Sequence, residues 1–456
     1  MQDSDNSGRR ADRRKVIKSL GAASLVSLAG CSGGDGGDGT SGSDGGTTGS
    51  SGDSGAVEIE FWEYFGGTEQ DEITALVDEF NETHDDITVN MSNVPFDEFF
   101  DSLFTGVASG NAPHVTTYWM SFSRFMMQEG AIRPIDEQME ASVDDYFESA
   151  QPAMQLDGDV YSLPMDIHGN GLIANDTVLE EAGVEEFPTD WQSFQTACDA
   201  IKENTDARAF APLEGGHPII GMRSYYTALV QEGGSLVEQN GGEYEVTHDG
   251  EAGRAAASFL DDVTDEYGWD QPDVQDGAER FGLFMQDELG FILAGNWHVN
   301  TFQNEDGEIP DDLEFTFGKP FVFPGGENAT FGESTGYFFP ADDTHTDEQQ
   351  TAAVRFAEWV THNNPLWAQT AAHLPAAKEV GTSEEVTSSK YYDDLGIVET
   401  VREMASEGQM KYHPAVPADL YETAIATPFV DVYAQNTEPD VAVEDSAAAL
   451  RDRLSE

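Results

Sequence analysis

Three aromatic residues at the ends of expected strands carry the first hint of chemistry. Trp62 and Tyr64 follow the run Val57-Glu58-Ile59-Glu60-Phe61, and Trp119 closes the run Val115-Thr116-Thr117-Tyr118. Flat rings with a polar edge suit a ligand that has apolar faces of its own, such as a sugar. Planar acceptors (Asp, Glu, Asn) must then stand nearby to take its hydroxyls. Core packing is the competing use of each ring. Reactive chemistry has less support. The ten histidines are scattered with no HExxH pair, so no metal site is expected. The chain has no GxxxxGK[ST]. Its two cysteines, Cys31 and Cys198, sit in unlike contexts, which excludes a disulfide framework and a multi-thiolate metal site. Cys198 reads as a small buried apolar residue. No cofactor is expected. With 87 Asp and Glu, counting cannot reject a carboxylate pair placed for glycoside hydrolysis. A cell-surface-anchored carbohydrate-active hydrolase is therefore the alternative reading, and a scaffold or adhesion protein the third.

The elements that position these rings follow from periodicity. Val57 to Trp62 alternates as a half-buried strand, and Ile73, Leu76, Val77 and Phe80 recur at helical spacing within 69–83. Ile87-Thr88-Val89 reads as a second strand, Phe96 to Val107 as a second amphipathic helix ending near Gly110, and 115–119 as a third strand. Strand, helix, strand, helix, strand implies parallel βαβ units and an α/β domain. Ligands in such sheets sit at the carboxyl ends of the strands, where Trp62, Tyr64 and Trp119 fall. Ala447, Leu450 and Leu454 mark closing helices within 417–456.

Several short motifs in order resemble family 1 extracellular solute-binding proteins, the maltose-binding-protein-like group. Ile59-Glu60-Phe61-Trp62 with Gly66-Gly67 is similar to the family's opening, and Glu79-Phe80-Asn81 before Ile87-Thr88-Val89 to its first helix and second strand. Gly110-Asn111-Ala112-Pro113-His114-Val115 resembles GNAPDV, with His114 in place of Asp. Asp157-Gly158-Asp159-Val160-Tyr161-Ser162-Leu163-Pro164 resembles DGKIYALP, and Leu172-Ile173-Ala174-Asn175-Asp176 resembles LYYNKD, with Ala174 for Tyr. Glu181-Ala182-Gly183-Val184, Phe187-Pro188-Thr189-Asp190-Trp191, Ala294-Gly295-Asn296-Trp297 and Pro324-Gly325-Gly326 continue the series. The resemblance implies an α/β, two-lobed periplasmic-binding-protein-like fold (type II) with discontinuous lobes joined by a hinge. It places crossings near 165–171, 317–323 and 373–378. The lobes would be 57–166 with 323–373, and 170–318 with 377–456. It implies that Trp297 stacks on a sugar ring and that Asp166 and His168 present polar contacts from the hinge. Glu333, in a small-residue turn facing the cleft, and His373, beside the third crossing, complete the expected ligand set. The implied function is the substrate-binding subunit of an ABC importer, capturing a sugar or short oligosaccharide by hinge closure without chemistry on it. Its partners are permease subunits and a separate ATPase chain. A monomer is expected. Arg124 and Arg223 are the only nearby bases that would favour an anionic ligand instead.

The N-terminus and the charge set the setting. Arg13-Arg14 heads a basic stretch, a weakly apolar segment follows, and Leu28-Ala29-Gly30-Cys31 resembles a lipobox. Residues 1–31 are thus expected to be a twin-arginine lipoprotein signal with Cys31 lipidated. Residues 32–56, nearly all Gly, Ser, Thr and Asp, would be a flexible tether reaching roughly 25–30 Å. The expected location is the outer face of the cytoplasmic membrane, extracellular and held by the lipid alone. Against 87 acids stand 21 bases, a net charge of −66. Such a chain is repelled by nucleic acid and by anionic membranes. An acid-rich surface on a chain with 27 Phe, 14 Tyr and 7 Trp indicates a folded protein adapted to high salt. Asn81, Asn90, Asn175 and Asn328 begin N-x-S/T sequons.

Overall fold

In a computed structural model of the protein, the described residues are 55–455, apart from 216–217, 241–242, 273–276, 305–307, 311 and 414–419. Arg13, Arg14, Cys31 and nearly all of the tether lie outside them. No helix among the described residues is long and apolar enough to cross a membrane.

The first sheet is built as the periodicity demands. Strands β1 (Val57–Glu63), β2 (Ile87–Asn93) and β3 (Val115–Trp119) run parallel, with β1 in the middle. Helix α1 (Gly67–Thr83) joins β1 to β2 and buries Ile73, Leu76, Val77 and Phe80. Helix α2 (Phe99–Ser109), entered by a 3-10 turn at Phe96–Glu98, joins β2 to β3 and ends on Gly110 with φ 71°. A left-handed terminal residue of this kind is nearly free of strain only for glycine. Two further strands complete the sheet in the order β2-β1-β3-β7-β4: β4 (Ser162–Pro164) and β7 (Thr335–Phe338), the latter antiparallel to both neighbours.

A second sheet is organised on β5 (Asp166–Asn175), ten residues buried along its whole length. Strands Leu289–Gly295, Phe315–Gly318, Leu374–Pro375 and β6 (Thr330–Glu333) all pair with it antiparallel. The chain therefore passes from the first sheet to the second at Met165, between β4 and β5. It returns at Ser334, between β6 and β7. This corrects the expected second crossing at 317–323. Phe315–Gly318 is a strand of the second sheet, and Thr330–Glu333, allotted to the first lobe, belongs to the second sheet as well. The third passage brings the chain from a short helix, Leu366–Thr370, to Leu374–Pro375, which pairs with Ile167 and Asp166. Ala447 and Leu450 are fully buried in the closing helix Pro439–Leu454, and Cys198 is buried in the core as expected.

Candidate functional site

The two sheet-changing residues place the candidate site. Asp166 opens β5 immediately after Met165, and its side chain collects donors from both other passages. Its Oδ1 accepts the Thr335 N–H at 2.6 Å, and its Oδ2 accepts the Trp367 indole N–H at 2.9 Å. The same Oδ2 faces His168 Nδ1 at 3.2 Å and His373 Nδ1 at 2.5 Å. Burial alone would raise the Asp166 carboxyl. The two histidines and their hydrogen bonds outweigh it and hold the group well below the usual carboxylate range. The imidazoles respond oppositely: burial lowers His168, whereas Asp166 raises His373 against its burial.

Around this junction the rings converge. The His168 and His373 rings stack at 4.6 Å, and His168 meets Trp297 edge-on at 5.2 Å. Trp297 stands two residues after Gly295, where any side chain would run into its indole. Asn296 fixes that turn: its Oδ1 accepts the Gly169 N–H and its Nδ2 donates to the Ala372 carbonyl, each at 2.8 Å. One amide side chain thus ties the hinge strand to the third passage.

Arg223, on the helix Pro218–Gln231, lies between the sheets. Its guanidinium sits 4.7 Å from the Trp297 ring, 5.5 Å from Trp119 and 5.6 Å from Phe331. These are cation–π distances. It makes a 3.4 Å ion pair with Glu214 Oε1, while Glu214 Oε2 takes His298 Nε2 at 3.0 Å and the Gly295 N–H at 3.3 Å. Burial raises Glu214, but His298, Arg223 and that N–H outweigh it, leaving the carboxylate ionised.

Glu333 ends β6 beside the sheet change, paired in register with His168. Its Oε1 accepts N–H bonds from Ser121 at 3.1 Å and Ser334 at 2.9 Å, but its buried Oε2 has no partner. Burial pushes its pKa up to about 7 against those bonds. Other buried polar atoms at the junction are equally unpaired: His373 Nε2, Asn170 Oδ1 and Arg223 Nε.

Asp166, His168, Trp297 and His373 form one group, and Trp119 and Glu333 reach it through Arg223 and the β6–β7 link. Tyr64 joins at the edge: its hydroxyl is 3.3 Å from Thr335 Oγ1, and its ring packs on Phe65, Phe96 and Tyr118. Trp62 stands apart. It pairs with Ser92 and Thr116 in the sheet, and among the described residues no ring or side-chain hydrogen bond links it to the group. Sequence reasoning missed Glu214, His298, Asn296 and Trp367. Asn296 and His298 flank Trp297 and were within reach of that motif, whereas Glu214 and Trp367 carry no local signal.

The model of the bacterial extracellular solute-binding protein family matches residues 66–363. The chain belongs to this family. As a solute-binding protein it is 26% identical over 257 residues to the arabinooligosaccharide-binding protein of Halalkalibacterium halodurans, covering 54% of this chain and 56% of that one. It is 24% identical over 235 residues to the diacetylchitobiose binding protein of Streptomyces coelicolor, covering 50% and 54%. The match thus spans about half the length of these two curated relatives. Among solved structures, the cyclic alpha-maltosyl-1,6-maltose binding protein of Arthrobacter globiformis superposes with a TM-score of 0.72 at 20% identity, over 88% of this chain and 99% of that one. The likeness carries the fold: an α/β, two-lobed solute-binding architecture with the hinge between its sheets.

Proposed function

We propose that this solute-binding protein is the extracytoplasmic substrate-binding subunit of an ABC importer, and that it captures a neutral sugar or short oligosaccharide between its lobes. One observation carries the reading. Buried polar atoms without partners (Glu333 Oε2, His373 Nε2, Asn170 Oδ1, Arg223 Nε) occur at the junction where the Arg223 guanidinium lies over the indoles of both Trp119 and Trp297. Each such atom costs about 1–3 kcal/mol while unpaired. Hydroxyls both donate and accept, so a polyol with apolar ring faces satisfies them all while packing on the rings. The pairing of Arg223 with Glu214 balances the fixed charge and supports a neutral ligand over an anionic one. The relatives named for arabinooligosaccharide, diacetylchitobiose and a cyclic maltose derivative agree with this class.

Trp119, Trp297, Asp166, His168, Glu333 and His373 are the proposed ligand contacts, with Tyr64 at the margin. Trp62 has the weakest support. Asp166 acts mainly by holding the two histidines and the hinge in place. The protein does no chemistry on its ligand and hands it to separate permease and ATPase chains. Export through Arg13 and Arg14, lipidation at Cys31, a monomeric state and adaptation to high salt complete the proposal.

Tryptophan fluorescence against a panel of neutral oligosaccharides, followed by chromatography of the recovered ligand, tests it. Saturable binding with the ligand recovered intact is expected. Cleavage that disappears when one carboxylate is removed would replace this reading with the hydrolase.

A further inference from the structure

Three of the proposed sugar contacts, Asp166, His168 and His373, also turn a second set of donor atoms toward one another. The ligand-type atoms of Asp166, His168 and His373 lie within 4.8 Å of one another, and all three residues are buried. Asp166 Oδ2 faces three nitrogens at once: Trp367 Nε1 at 2.9 Å, His168 Nδ1 at 3.2 Å and His373 Nδ1 at 2.5 Å. A carboxylate oxygen offers about two lone-pair directions. The indole N–H fills one of them. One imidazole N–H fills the other, and the second Nδ1 then turns its own lone pair toward a carboxylate. A cation between the three atoms removes that conflict.

The composition of the set points the same way. Two imidazoles and one carboxylate are a ligand set that divalent transition metals, zinc among them, take up. The carboxylate is already oriented from outside, by Thr335 N–H on Oδ1 and Trp367 N–H on Oδ2, as ligating carboxylates usually are. Glu69 and Glu72 add negative field at His373, while Arg223 opposes it at His168. His168 and His373 are 205 positions apart, so no spacing motif announces the set.

We propose that Asp166 Oδ2, His168 Nδ1 and His373 Nδ1 bind one divalent transition-metal ion of the zinc or cobalt class, which staples the hinge strand β5 to the third passage of the chain. The proposal stands independently of the sugar reading.

The test uses the full chain in molar salt, stripped with chelator and then titrated with Co²⁺ by visible absorption and with Zn²⁺ by calorimetry. One equivalent should bind the wild type. His168→Gln and His373→Gln should each weaken binding by at least tenfold, and on the order of 100-fold where coordination is lost outright. The 87 acidic residues bind cations weakly in all three proteins alike, so the difference between them reports this site. Near-UV circular dichroism checks that the variants fold. Should either fail to fold, the zinc-edge X-ray absorption spectrum of the wild type decides, with two imidazole nitrogens expected. Absence of stoichiometric binding, unchanged binding in folded variants, or an oxygen-only coordination shell would overturn the proposal, leaving Asp166 as a hydrogen-bonded bridge between two histidines.

Discussion

Glu333→Gln should change how stability depends on pH, in a predictable direction. Glu333 is 1% exposed and sits where the chain changes sheets, with Oε1 saturated by two N–H bonds and Oε2 unpaired. Burial raises its pKa from 4.5 to about 7, so the folded protein keeps a proton there that the unfolded chain releases at lower pH. The stability this gives is full below the unfolded value of 4.5 and fades as pH rises through about 7. At about 1.4 kcal/mol per pH unit, the interval corresponds to about 3–4 kcal/mol. Glutamine keeps the shape and the Oε1 acceptor but cannot ionise. In molar salt, denaturant unfolding at pH 5, 6, 7 and 8 should show the variant gaining on the wild type by about 2–3 kcal/mol across the series. Every other titrating group is common to both proteins and cancels. A difference independent of pH would refute the argument that this carboxyl is held neutral by burial.

Three further outcomes follow from particular contacts. Asn296→Ala strips partners from a buried N–H and a buried carbonyl, and should lower stability by about 2–4 kcal/mol in denaturant unfolding. Dialysis to ~10 mM salt, where the Debye length is about 30 Å, should lower the melting temperature because −66 charges then repel unscreened; an unchanged melting temperature would contradict the salt-adaptation reading. Mass spectrometry of native protein should find any glycans at the exposed Asn90 and Asn328. Asn175 should carry none: it is fully buried and its amide bonds Phe284, Asp287 and Val178.

The first lobe was legible because its signals are local. Alternation in 57–63, the helical spacing of Ile73, Leu76, Val77 and Phe80, and Gly110 at a helix end each report their element directly. The second sheet change was not. Thr330–Glu333 and Thr335–Phe338 are short strands separated by one residue, and their junction reads only as a small-residue turn. What distinguishes them is their hydrogen-bond partners, Gly169 and His168 for one and 116–119 for the other, and partners leave no trace in the local pattern. The site shows the same division. Trp119 and Trp297 announce themselves by motif and strand end. Trp367 and Glu214 matter only because long-range pairing brings them to Asp166 and Arg223. Trp62 obeys the strand-end rule as well as Trp119 does, yet the structure joins only Trp119 to the cluster.

The central claim is that a sugar lies between the two sheets against the indoles of Trp119 and Trp297. Calorimetric titration of a neutral oligosaccharide panel against wild type, Trp297→Ala and Trp119→Ala in molar salt tests it most directly. The account predicts one-site binding by the wild type and a loss on the order of 1–3 kcal/mol for each truncated ring, roughly 5- to 150-fold in affinity. Equal affinity in all three proteins, or binding of amino acids or peptides with no sugar bound, would contradict it.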